Sequence, residues 1–123
     1  VTMQAFDKVI GFLNDIDEID MKYLNLLHAI TKHKSDDTYR CLRRCFKSIN
    51  DDSVKHIVVY MLADYGDSRA VPLLRKYAID LRDRIVNSTE MSEEERKEQN
   101  WYFFSVVNTI EQMGGNVEDL KIF

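Results

Sequence analysis

The sequence predicts an all-α protein, a short α-solenoid of antiparallel helix pairs. Three observations carry this. Apolar residues recur at helical spacing in successive segments along the 123 residues. One proline and four glycines are too few for the tight turns of an all-β chain. The segments are separated by short capping and breaking stretches, so helix pairs can stack, each burying only its neighbours. The whole of residues 1–123 is expected to form one domain with a modest core.

The elements follow in order. Residues 2–14 place Phe6, Val9, Ile10 and Leu13 on one helical face. Acidic residues Asp15, Asp17, Glu18 and Asp20 then precede a second helix over about residues 20–33, with Leu24, Leu27 and Ile30 inward and Leu26 and Met21 widening the apolar face. Ser35, Asp36 and Asp37 are good caps for a third helix running to about Ile49, with Tyr39, Leu42, Cys45, Phe46 and Ile49 on one side. A fourth helix over 53–65 is expected to bury Val54, Ile57, Val58, Met61, Leu62 and Tyr65.

Gly66 can adopt the left-handed conformation that ends a helix, and Asp67 can cap the turn after it. Pro72 lacks an N–H and belongs in a first turn, so the fifth helix is expected to start near Val71 or Pro72. It runs to about Asn87 with Leu74, Tyr77, Ala78, Leu81 and Ile85 inward, and the break over 66–72 reads as a hairpin between antiparallel helices, the most regular unit of the fold. Ser92 with Glu95 fits a capping box for a sixth helix that carries Phe103, Phe104, Val107 and Ile110 inward and stops at Gly114 and Gly115. A final short helix would pack through Val117, Leu120 and Phe123.

The stretch LADYGDSRAVPLLRKY, residues 62–77, resembles the inter-helix turn of HEAT-like repeats, the short kind first noted in phycobilisome lyases. Gly66, Asp67, Arg69, Ala70, Val71 and Pro72 match that pattern; Ser68 stands where proline is frequent. The match covers one repeat, residues 53–87. A weaker echo one repeat earlier keeps Asp36, and a later one keeps a glycine and Asn116. The resemblance implies an α-solenoid used as a recognition scaffold. Some members of the family bind nucleic acid and a few carry out chemistry.

Composition bounds the function classes. Hydrophobic residues are 45% and charged residues 31%, an ordinary globular balance. No apolar run approaches the ~20 residues that span a bilayer. The first residues show no secretory signal, and two thiols expected to be reduced, Cys41 and Cys45, favour a cytoplasmic setting. The cysteines lack a second pair for zinc, and His28, His33 and His56 have no acidic partner at ligand spacing. Glu93, Glu94 and Glu95 fan around a helix start and complement its dipole. No catalytic residue, metal or cofactor is therefore expected.

Charge placement is the strongest surface signal. The chain has a net charge of −4, yet residues 21–47 carry seven bases against two acids. Arg40, Arg43, Arg44 and Lys47 fall at i, i+3, i+4, i+7, nearly opposite Leu42, Phe46 and Ile49. A charged helix face is usually only solvated, but this one contains no acid. The resemblance implies that it lies on the concave side of the repeat, where Arg75 and Arg82 would extend it. Trp101 heads four consecutive aromatics that cannot all face one core, so Trp101 or Tyr102 is expected at the surface, as a packed end or a binding anchor.

These features rank three functions. First comes a non-enzymatic interaction module that holds an acidic segment of another protein, for instance a bacterial immunity or regulatory protein by analogy. Second is a nucleic-acid binder using the same stripe, opposed by the acidic ends of the chain. Third is a HEAT-like glycosylase or lyase, for which no convergent constellation is readable.

Overall fold

A computed structural model describes residues 3–120, and the described residues are helical, with no strand. Six α-helices follow one another: α1 (Met3–Asn14), α2 (Leu24–Ile30), α3 (Asp36–Lys47), α4 (Asp52–Tyr65), α5 (Ala70–Asn87) and α6 (Glu93–Gln112). Short 3₁₀ turns stand at Met21–Tyr23 and Glu118–Leu120. The chain divides into two compact units between Asp67 and Ser68. The hairpin expected over 66–72 spans that division, so its two helices are described with their own units.

In the first unit α1 packs on α2 and α3, and α3 meets α4. Phe6 and Leu13 carry the buried face of α1, while Val9 and Ile10 are half-buried. The segment before α2 begins as a 3₁₀ turn, with the Asp20 carboxylate accepting from the Lys22 N–H at 3.1 Å. Thr31 closes α2 early: its hydroxyl donates to the His28 carbonyl at 2.6 Å, so the helix is shorter than the periodicity of 20–33 suggests. Leu24, Leu27 and Ile30 point inward as expected, whereas Met21 is exposed.

Ser35 caps α3 by accepting from the Thr38 N–H at 3.1 Å, and Asp36 and Asp37 occupy the favourable first turn. Cys41 joins Tyr39, Leu42, Cys45 and Phe46 in the core. Asp51 caps α4 by accepting from both the N–H and the hydroxyl of Ser53, at 2.8 and 2.6 Å. Burial along α4 departs from the expected register. Val59 and His56 turn inward, Ile57 is exposed and Met61 only half-buried. Apolar residues run almost all the way round this helix, so spacing alone leaves its rotation open. A tether acts where spacing does not: the Tyr65 hydroxyl accepts from the Ser35 N–H at 3.1 Å and donates to the Ser35 carbonyl at 3.0 Å.

Gly66 ends α4 in the left-handed region, at φ 81°, with its N–H on the Leu62 carbonyl at 3.1 Å. An added Cβ would meet only the Asp64 carbonyl oxygen at 3.9 Å and Lys34 Nζ at 4.0 Å, ordinary contacts, so the cost of substitution is conformational. Gly66→Val is expected to lower stability by roughly 1–2 kcal/mol. An unchanged urea midpoint would refute this cap.

In the second unit α5 lies along α6. It starts at Ala70, one residue before the expected start, and Pro72 still falls in the first turn, where no N–H is required. Leu74, Tyr77, Ala78, Leu81 and Ile85 are buried as expected. Ser92 accepts from the Glu95 N–H at 3.1 Å at the start of α6. Among the aromatics the expected pair is corrected: Tyr102 and Phe103 are buried, while Phe104 is 53% exposed. The inward stripe is Tyr102–Phe103, Val106–Val107 and Thr109–Ile110, and Phe104 falls just outside it. Gly114, at φ 86°, and Gly115 close the helix with N–H bonds to Glu111 and Ile110 at 3.0 and 2.9 Å. Val117 and Leu120 are buried; Phe123 lies outside the described residues.

Candidate functional site

The candidate site is the outer face of α3. Thr38, Tyr39, Cys41, Leu42, Cys45 and Phe46 fill its inner face completely, which forces the intervening bases outward. Arg40, Arg43 and Lys47 are exposed, at i, i+3 and i+7. None of the three makes an ion pair or hydrogen bond among the described residues.

Arg44, expected as the fourth member, has a different occupation. One guanidinium nitrogen donates to the carbonyls of Leu13 and Ile16, both at 3.2 Å. α1 ends without a left-handed residue, and the Asp15 and Ile16 N–H groups bond the Phe12 and Leu13 carbonyls, both at 3.2 Å. Arg44 adds a donor from α3 to the end of α1 and to Ile16 just beyond it, and is half-buried in doing so. The sequence carried one signal for this: a helix end at residues 13–16 with acids but no glycine after it.

Behind the stripe, Cys41 and Cys45 are buried, with relative exposures of 1% and 0%. Their shared hydrogen bond, then burial, pushes the Cys41 thiol up; the same bond draws Cys45 down, helped by the charge of Arg44. Of the histidines, His28 and His33 are exposed and His56 is buried edge-on to Tyr60, where desolvation lowers its pKa. Among the described residues, no three His, Cys, Asp or Glu side chains gather in a way that could hold a metal ion. No described helix is long and apolar enough to cross a membrane.

Known protein families, curated proteins and solved structures were compared with the chain, and none matches it. The site must therefore be judged on its own geometry.

The remaining sequence candidates lie in the second unit. Arg75 grips Asp119 with both guanidinium nitrogens, at 3.1 and 2.7 Å, and also donates to the Asn116 carbonyl. The Arg75 hydrogen bonds hold the Asp119 carboxyl below the ordinary range. The pair is therefore ionised at neutral pH and weakens as pH falls through that lowered value. Arg82 donates to the Asp119 carbonyl at 3.3 Å and stands 3.6 Å from Asp83. Both arginines thus hold the 3₁₀ turn against α5. Trp101 is 57% exposed and Tyr102 only 7%, which assigns the surface position of the aromatic run to Trp101, with exposed Phe104 one turn on.

Sequence reading passed over one feature of the first unit. Met3, Phe6 and Val9 of α1, with Ala29, Ile30, Lys32 and His33 at the end of α2, line an opening of about 390 Å³. The spacing of Phe6 and Val9 was legible, but it reads equally well as core.

Proposed function

We propose that the protein is a non-enzymatic interaction module whose α3 face, Arg40, Arg43 and Lys47, holds an acidic segment of another protein. The observation that supports this reading is the use made of arginine. The chain has eight arginines, and Arg40 and Arg43 are the two for which the described residues provide no partner. The guanidinium groups of Arg44, Arg75, Arg82 and Arg96 are engaged by carbonyls and carboxylates of the fold. On α3 two of them stand one turn apart with their forked donors available, beside Lys47. The HEAT-like reading, a stack of helix pairs acting as a scaffold, belongs to the same proposal. Its support is the Gly66 cap followed by a helix start with Pro72 in its first turn.

The test is an affinity capture from the source cell with wild-type protein and with Arg40→Glu/Arg43→Glu. The double reversal should weaken capture of the wild-type partner by at least about tenfold, since charge-assisted hydrogen bonds contribute about 1.5–3 kcal/mol each. Its melting temperature should stay within a degree or two, because exposed charges add little to stability. Arg44→Glu should instead lower the melting temperature through the lost carbonyl contacts. Undiminished capture by the double reversal makes the stripe a solvated face. Binding to many nucleic acid sequences with a steep salt dependence would assign the face to phosphate instead.

A further inference from the structure

The opening between α1 and the end of α2 has the make-up of a small-molecule site. Its volume of about 390 Å³ lies within the range of ligand pockets, roughly 300–1,000 Å³. Met3, Phe6, Val9, Ala29 and Ile30 make its walls apolar, and the polar side chains lining it are Lys32 and His33. Ala29, exposed, contributes only a methyl group to the wall. Among the described residues, no acid lines this opening.

The backbone of the polar end is held in place before any ligand arrives. The His33 N–H bonds to the Ile30 carbonyl at 3.1 Å, and the His33 carbonyl accepts from the Thr38 hydroxyl at 2.6 Å. Its ring sits 4.6 Å from that of Phe6. The Lys32 N–H bonds to the Ala29 carbonyl at 3.3 Å. Lys32 also borders a second, smaller opening of about 160 Å³ with His28, Thr31, Lys34, Met61, Asp64 and Tyr65. The opening between α1 and α2 itself therefore runs from an apolar body to a polar end formed by Lys32 and His33.

We propose that this groove binds a small free amphiphile, a monocarboxylate whose apolar body lies between α1 and α2 and whose head meets Lys32 and His33. Size and charge both select this occupant. The groove is bounded, as a short chain requires, and its one polar end is cationic, which discriminates against neutral and cationic amphiphiles. The site is separate from the bases of α3 and stands whether or not those bind a partner.

Octanoate and octanol are the probes, read by titration calorimetry and by amide chemical shifts on the whole chain. Octanoate should bind saturably, with shifts centred on Phe6, Val9, Ala29 and Ile30, and octanol at least about tenfold more weakly, because it forfeits a charge-assisted contact. Ala29→Trp, at an exposed position, should fill the groove and abolish octanoate binding. Lys32→Gln should bring octanoate close to octanol while leaving octanol unchanged, a readout that survives even if the tryptophan variant folds poorly. Equal affinity for the two probes, shifts centred elsewhere, or unaltered binding in both variants overturns the proposal. Capture by phosphatidylglycerol vesicles without octanoate binding also overturns it, in favour of a lipid surface.

Discussion

Phe103→Ala is expected to lower stability by about 3–5 kcal/mol, the range for deleting a buried aromatic ring. Phe104→Ala, one residue on, should change it by less than about 1 kcal/mol. The two rings touch edge to face at 5.5 Å between centroids, yet one is 1% and the other 53% exposed. Phe103 sits on the α6 stripe that also carries Val106, Val107 and Ile110, so its removal leaves a cavity in the second unit. Phe104 lies off that stripe and leaves only a smaller surface. Urea denaturation of the two variants measures the difference. Equal losses, or the larger loss at Phe104, would mean that α6 is rotated from the orientation described. Against a total of about 5–15 kcal/mol for a domain of this size, that loss is a large share of the stability.

Gly115→Ala is expected to cost about 1–3 kcal/mol by overpacking. A Cβ there would stand 2.6 Å from Ile110 Cγ2 and 2.8 Å from Val71 Cγ1, closer than packed carbons approach. Ile110 is fully buried and cannot yield easily. Val71→Ala in the same chain should restore part of the loss, because it removes one of the two obstructing methyl groups. Thermal melts of the single and double variants check this. Strict additivity of the two substitutions would show that Gly115 does not press on α5. Gly114 is a contrasting case: a Cβ there meets nothing within 4 Å, so its cost is backbone strain alone.

These two sites also show what was legible in the sequence. Helix ends signalled by local chemistry were readable, because a cap acts within a few residues: Ser35, Gly66 and Ser92 stand where they were expected. Faces of strongly amphipathic helices were readable for the same reason, as Leu74, Tyr77, Leu81 and Ile85 show. Rotations of helices that are apolar on most sides were not. α4 and the aromatic run of α6 offer several equivalent stripes, and the choice between them depends on distant atoms such as the Tyr65 hydroxyl on Ser35. The α3 stripe was legible as a pattern of bases. That Arg44 belongs to α1 rather than to the stripe was not, since its acceptors lie 28 and 31 residues away. Arg75 and Arg82 were legible as a positive cluster, but not the Asp119 turn that engages them.

The two arginines that finish helices have a consequence for the order in which the chain takes shape as it is made. Arg96 closes α5 through the carbonyls of Ile85 and Ser88, at 2.7 and 2.9 Å, only 11 and 8 residues upstream. That helix can be sealed almost as soon as it emerges. The end of α1 has local bonds from the Asp15 and Ile16 N–H groups, but its tie to α3 must wait for Arg44, which is translated 31 residues after Leu13. At about 5–20 residues per second, that tie is missing for a few seconds of synthesis, until α3 has emerged. Within its unit, α1 is thus made before α3 but tied to it only later. A pause in translation between those two points would prolong the interval in which the apolar face of α1 is open to the wrong contacts.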